Sequence, residues 1–373
     1  MKNFTLFIFL IFVSSPAFAV METSAKQAVI IDMGTGMTLL SKDADKRMPT
    51  SSMSKVMTAY MVFDALKQGR VQMDSMLPVS EKAWQKGGSK MFIEVGTRVS
   101  VEDLLKGLIV QSGNDAAIAL AEGLAGDEAQ FAQTLTAKAH DLGMKESQFK
   151  NASGWPDPDH YSTANDLAIL AQRLIVDFPH EYSLYGMKEF TYGGITQPNR
   201  NPLLYRNMGV DGIKTGHTDI AGYGLMASGE INGRRVIMVV NGLDSEKSRA
   251  DESARLIGWA LNGFENTKLL SNGQTVNHAQ IFGGRSDSLA LGVNRDINVV
   301  VPKGQKDKIK IEVEYDSPIK APVNKGDEVG VLHITVPEVG DFKVPLIAND
   351  TIEQSGFFGR AFDNLGKLLS SGS

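Results

Sequence analysis

Three short runs stand in order along the chain: Ser52-Met53-Ser54-Lys55, Ser112-Gly113-Asn114 and Lys214-Thr215-Gly216. Together they supply what serine acyl transfer needs when lysine takes the place of histidine as base. A serine hydroxyl is a poor nucleophile until its proton is removed, and a lysine with its ordinary pKa of about 10.4 is charged and cannot remove it. Lys55 must therefore be held partly neutral. Burial and a nearby second cation both push a lysine that way, and Lys214 is the expected second cation. Ser112 and Asn114 would complete the proton path. A hydroxyl can relay a proton, while an Asn side chain can orient Lys55 and hold a substrate amide without adding charge.

The four-residue pattern alone is weak, because Ser147-Gln148-Phe149-Lys150 and Ser317-Pro318-Ile319-Lys320 also fit it. Context chooses among the three. Ser52 opens an apolar run, Val56 to Leu66, that contains no Gly or Pro and reads as a buried helix. Ser52 and Lys55 then share its first turn, where hydroxyl and amine can meet and unpaired backbone N–H groups favour a negative serine oxygen. Ser317 precedes a proline next to the alternating stretch Ile309 to Tyr315, which reads as a strand. Ser147 lies between Gly143 and Gly154 in a polar stretch that reads as a connecting loop.

Asn114 begins the helical pattern Asp115 to Ala121, so a plain N-cap is its alternative reading. Lys214-Thr215-Gly216 follows Gly209 to Ile213 and precedes Tyr223 to Ile231, which pairs with Arg235 to Val240 across an Asn232-Gly233 hairpin turn. That makes the third motif an edge-strand segment. An exposed edge can accept an extended peptide as an added strand, with Thr215 and Lys214 meeting its terminal carboxylate and Gly216 allowing close backbone approach.

A Ser-His-Asp triad built on His217 with Asp219 or Asp211 is the rival chemistry. No G-x-S-x-G elbow accompanies it, and His140, His160, His180, His278 and His333 read as surface or cap positions. No histidine pair has metal-site spacing and the chain has no cysteine, so neither a metal nor a cofactor is expected.

Lys2, the apolar run Phe4 to Val13 and Ala17-Phe18-Ala19 read as a signal peptide cleaved after Ala19, which implies an exported, periplasmic protein. The apolar run is too short to span a bilayer. Its removal takes the net charge from −5 to −6, and no basic stripe is present, so nucleic acid is not a partner. Absence of cysteine suits an oxidising compartment and a core large enough to need no disulfides.

The 373 residues have room for two domains, and the pattern changes near Gly263 to Asn266. Before that point a hairpin (Ala28 to Asp32, Met37 to Leu40) is followed by helices near 53–67, 101–110, 114–124, 128–141 and 164–177, then strands, then a helix over 246–261. This is an α+β layout, an antiparallel sheet with flanking helices and a helical lobe, expected over residues 20–265. Short alternating runs such as Asn298 to Val301 and Val329 to Ile334 predict a small all-β sandwich over 266–350. In the last segment, 351–373, Phe358, Ala361, Phe362, Leu365, Leu368 and Leu369 fall on one helical face, which predicts an amphipathic helix in reversible, peripheral contact with a membrane.

The ordered motifs, with Pro49 to Lys55, Gln111 to Asp115, Asn199-Arg200-Asn201, Val210 to Asp219 and Arg249 to Ser253, resemble the low-molecular-mass penicillin-binding proteins, serine-type D-alanyl-D-alanine carboxypeptidases. The resemblance covers residues 25 to 265 and, more weakly, the tail. The middle motif is S-G-N, as in the carboxypeptidase branch, and not the S-D-N of class A β-lactamases. The likeness implies the penicillin-binding transpeptidase fold, Ser52 as acylated nucleophile, Lys55 as its base, and Ser112, Asn114 and Lys214 as the surrounding proton and charge network. It implies an oxyanion hole from the backbone N–H groups of Ser52 and His217, an interaction worth about 3 to 4 kcal/mol of barrier per donor. Arg249, and with it Arg200, would bind the substrate's terminal carboxylate, beside Thr215 and Gly216. The implied substrate is the peptidoglycan stem pentapeptide and the implied inhibitors are β-lactams. A β-lactamase or DD-endopeptidase on the same scaffold and a catalytically idle wall-binding protein are the alternatives.

Overall fold

A computed structural model describes residues 21–356. The expected signal peptide and the apolar face of residues 357–369 lie outside the described residues.

The chain opens with the hairpin β1 (Gln27–Asp32) and β2 (Thr38–Lys42) and reaches a 3-10 turn, Ser51–Ser54, that runs straight into α1 (Lys55–Lys67). Nine residues of α1 are buried, from Lys55 to Ala65, because its sequence offers no polar face and the helix threads the core. A lobe follows, built from β3 (Met76–Pro78), α2 (Glu81–Gln85), β4 (Arg98–Ser100), α3 (Val101–Ile109), α4 (Asn114–Ala125), α5 (Glu128–Asp141) and α6 (Ala164–Asp177). The side chains of Ser100, Asp127 and Thr163 each accept a backbone N–H at the start of α3, α5 and α6, which fixes where those helices begin. Gly126, at φ 76°, closes α4.

A short hairpin, β5 (Glu189–Tyr192) and β6 (Ile195–Pro198), leads to three long strands, β7 (Val210–Thr218), β8 (Gly222–Ile231) and β9 (Arg234–Leu243), and then to α7 (Glu246–Asn262). The central sheet has the order β2-β1-β9-β8-β7. The turn between β8 and β9 is Asn232-Gly233 with φ of 53° and 76°, as a tight hairpin requires. The third motif thus lies on an edge strand, with β8 on one side only.

The second unit contains β10 (Phe264–Leu270), β11 (Thr275–Phe282), β12 (Ser288–Gly292), β13 (Ile297–Pro302), β14 (Lys310–Tyr315), β15 (Ile319–Lys320), β16 (Glu328–Val336) and β17 (Gly340–Ala348). β10 pairs with β13, and the other six form the order β14-β16-β17-β12-β11-β15 around their own apolar core. It is the expected β-sandwich, with its first strand beginning at Phe264. Residues 352 and 354 still bridge to Val323 and Gly284, so the β unit extends past 350. The two units are joined through a buried ion pair: Arg234 Nε lies 2.8 Å from Asp32 Oδ2, and Asn266 bonds both partners.

Candidate active site

The 3-10 turn brings Ser52 and Lys55 to one point, with Lys55 Nζ 2.9 Å from Ser52 Oγ. The amine also donates to Asn114 Oδ1 and to the backbone carbonyl of Ser153, each at 2.7 Å. In the neutral form its two N–H bonds go to these fixed acceptors, and the lone pair is left for the serine proton. Burial is the main cause that lowers the Lys55 pKa from 10.5 to about 7, helped by the charges of Arg200 and Lys86 and opposed by Asp115.

Lys214 plays a different electrostatic part from the one its sequence position suggests. It is buried on β7 and its own pKa is pushed well below the ordinary value, by burial first and then by Lys55, Arg200 and Arg249. The cations that act on Lys55 are Arg200 first and Lys86 after it. The two lysines form a coupled pair of easily deprotonated amines.

Asn114 is the first residue of α4, and Gly113 stands at the cap position, so the N-cap reading does not hold. The Asn114 carboxamide spans the cleft floor instead, from Lys55 to the carbonyl of Gly87 at 2.8 Å. Ser112 is buried at φ 61°, a left-handed conformation that side chains seldom adopt, and among the described residues its hydroxyl bonds neither lysine. Asp115 holds the cleft wall: its carboxylate accepts the backbone N–H groups of Met91, Phe92 and Ala116 at 2.9 to 3.1 Å.

Gly216 is needed for a close approach, but not to a peptide. A Cβ there would lie 2.9 Å from the Thr50 carbonyl and 3.1 Å from Met53, so the missing side chain lets β7 press on the nucleophile turn. Ser51 Oγ and Thr218 Oγ1 meet at 3.1 Å across the same contact. Thr215 is buried, while His217 is exposed with its ring stacked on Tyr223 at 3.9 Å. The rival triad does not form. Asp211 is bound by Tyr182 Oη and Arg235, and Asp219 is exposed.

Arg249, on α7, is buried and pairs with Glu246 at 2.9 Å, while its buried Nε has no partner among the described residues. Arg200 donates to Ser89 Oγ at 2.5 Å, held between Asn199 and Asn201, which bond the Met187 and Gly212 carbonyls. Burial lowers the pKa of both arginines, and their charges repel each other and Lys214. The two arginines beside Lys214, one with an unmet donor, suit an anion such as a peptide's terminal carboxylate. The cleft itself has a volume of about 550 Å³ and is bounded by Ser52, Ser89, Asn114, Trp155, His217 and Ile220.

Sequence reading saw a loop before Gly154 but missed the part that residues 151–160 play in the site. The Asn151 carboxamide oxygen accepts N–H bonds from Ser153, Gly154 and Trp155 at 2.8 to 3.2 Å, which aims the Ser153 carbonyl at Lys55. Asn, Ser and Gly in close succession were the available signal, since they build such turns. His160, read as a surface or cap residue, is buried and its Nε2 lies 2.7 Å from Ser54 Oγ. The competing Ser147 does not meet its lysine. Ser147 Oγ bonds Ser162 and Asp166 instead, and Lys150 faces Asp159.

Comparison with known proteins places this geometry in context. A family model described as D-alanyl-D-alanine carboxypeptidase matches residues 13–245, and one described as penicillin-binding protein 5, C-terminal domain, matches residues 264–354. The D-alanyl-D-alanine carboxypeptidase DacA of Haemophilus influenzae is 36% identical over 348 residues, covering 92% of this chain and 88% of that protein. The structure of penicillin binding protein 5 from Haemophilus influenzae superposes with a TM-score of 0.75 at 36% identity, covering 89% of this chain and 98% of that one. Penicillin-binding protein D2 from Listeria monocytogenes, solved in a cefotaxime-bound form, matches with a TM-score of 0.59 at 31% identity, over 64% of this chain and 98% of that one.

Proposed function

This chain belongs to the D-alanyl-D-alanine carboxypeptidase family, and from that premise we propose that it removes the terminal D-alanine from peptidoglycan stem pentapeptides through an acyl-enzyme at Ser52. One observation carries the assignment of roles: the Lys55 amine, its pKa lowered to about 7, stands 2.9 Å from Ser52 Oγ and donates to two fixed acceptors, Asn114 Oδ1 and the Ser153 carbonyl.

In the first half-reaction Lys55 Nζ takes the Ser52 proton as Oγ attacks the carbonyl carbon of the penultimate residue. The backbone N–H groups of Ser52 and His217 receive the negative oxygen. The C–N bond then breaks, and the departing amine takes a proton from the network of Lys55, Ser112 and Lys214. In the second half a water gives its proton to the same network, attacks the ester and frees Ser52. Arg249, Arg200 and Thr215 hold the terminal carboxylate, which confines cleavage to the peptide's end. β-Lactams would acylate the same oxygen.

Export by the N-terminal segment to the periplasm, and peripheral attachment to the outer face of the inner membrane by the C-terminal one, belong to the same reading. They are supported by the run Phe4 to Ala19 and the apolar face of residues 357–369.

The test follows a fluorescent penicillin on the protein and on Ser52→Ala by intact mass, beside D-alanine release from a pentapeptide. Lasting label on the parent alone, with D-alanine released, is the expected result. Rapid loss of label would make the protein a β-lactamase, and peptide binding with neither label nor release would make it an idle binding protein.

A further inference from the structure

Ser54 stands between the two residues of its motif that carry the chemistry, yet its own hydroxyl is fully buried away from the cleft. Its Oγ lies 2.7 Å from His160 Nε2 and 2.6 Å from Thr50 Oγ1. His160 Nδ1 accepts the backbone N–H of Lys150 at 3.2 Å. The ring proton therefore sits on Nε2 and is donated to Ser54, whose own proton passes on to Thr50.

The nucleophile turn lacks the usual means of holding its shape. Neither Thr50, before the 3-10 turn, nor Ser54, before α1, makes a side-chain cap, and Ser51 is held at φ 50°. The chain His160–Ser54–Thr50 ties the two ends of that turn together from behind. Phe149 fixes the imidazole edge-on at 5.4 Å. The charged groups acting on the ring are Asp157 and Lys55, which oppose one another, and burial outweighs both, lowering its pKa to about 4. Burial thus favours the neutral ring.

We propose that His160 is a positioning residue of the acylation step: by donating to Ser54 Oγ it fixes the turn that keeps Ser52 within reach of the Lys55 amine. The inference rests on the assignment of Ser52 and Lys55 made above. A hydrogen bond that delivers a proton is sensitive to tenths of an ångström, so a loosened turn lowers the rate of proton transfer and leaves substrate binding on the arginines intact.

The experiment measures the acylation rate by fluorescent penicillin, and kcat and KM for D-alanine release, on the full chain and on His160→Leu, His160→Gln, Ser54→Ala and the Leu/Ala double variant, with a melting curve for each. His160→Leu is expected to acylate at least about tenfold more slowly, with the loss in kcat and not in KM. His160→Gln, which keeps an N–H donor in place, recovers most of the rate. The double variant is no slower than the worse single one, because both break the same link. If His160→Leu fails to fold, Ser54→Ala decides. Parental rates in Ser54→Ala, or losses that add in the double variant, overturn the inference while parental labelling upholds the function. A parent that takes no label overturns both.

Discussion

Gly154 is pressed so closely against Ser51 that a Cβ on the glycine would lie 1.8 Å from the Ser51 carbonyl oxygen. The loop after Ala152 and the nucleophile turn are thus one packed body, and the Ser153 carbonyl that fixes Lys55 comes with it.

Gly154→Ala is expected to break that body, since the residue also sits at φ 77°. The strain and the clash with backbone together cost at least about 2 kcal/mol. A lowered melting temperature and a penicillin acylation rate down by about a hundredfold or more are the expected readings. A variant with parental values of both would show that the loop can retreat without disturbing the site.

Acylation is expected to fall with acid. Lys55 acts as the neutral amine, with a pKa near 7, so each pH unit below that value removes about nine-tenths of the remaining base. Because Lys214 titrates beside it, the measured midpoint belongs to the pair. The rate constant with a penicillin, followed from pH 5.5 to 9, tests this. A flat profile would count against Lys55 as base.

Arg249→Ala is expected to lower kcat/KM for a pentapeptide by about 10- to 150-fold, the range of about 1.5 to 3 kcal/mol for a hydrogen bond to a charged group. The loss should fall mainly on KM. The same peptide with a C-terminal amide supplies the control: parent and variant should treat it alike, and an equal loss on the amide would place Arg249 outside carboxylate recognition.

Stability is expected to fall in mild acid through His160. Its folded pKa, about 4, is below the unfolded value of 6.5, so the unfolded chain binds the extra proton first. Above pH 6.5 there is no penalty. Between 6.5 and 4 stability falls as pH falls, by up to about 3 kcal/mol from this residue, and below 4 the effect is complete. Urea midpoints of the parent and His160→Gln at pH 7.5 and 5 report the difference. An equal acid loss in both would assign it to other groups.

The helices were legible from their runs of residues, and the structure shows why they begin where they do. Ser100, Asp127 and Thr163 stand where the apolar periodicity of α3, α5 and α6 begins, and they cap those helices in the structure. Asn232-Gly233 marked its hairpin in the same way. Of the site, the sequence named residues that the structure brings together, Ser52, Lys55 and Asn114. It did not show the Ser153 carbonyl, because a backbone acceptor leaves no trace in residue type. His160 was read as a surface or cap position, but it is buried next to the exposed residues 157–159, and sequence context does not show a ring packed beneath an exposed loop. The direction of the Lys214 effect was hidden for a related reason: motif spacing shows that two amines meet, and not that both are buried and both lose their charge easily.

Bringing Arg200 and Arg249 beside Lys55 and Lys214 has a cost to the fold, which the lysines relieve by giving up a proton and the arginines do not. Cations brought together out of water raise the energy of the folded state, and replacing one with an apolar residue of similar size relieves it. Such a replacement would make a sturdier and inactive protein. Selection for thermal endurance alone would therefore erode this cleft.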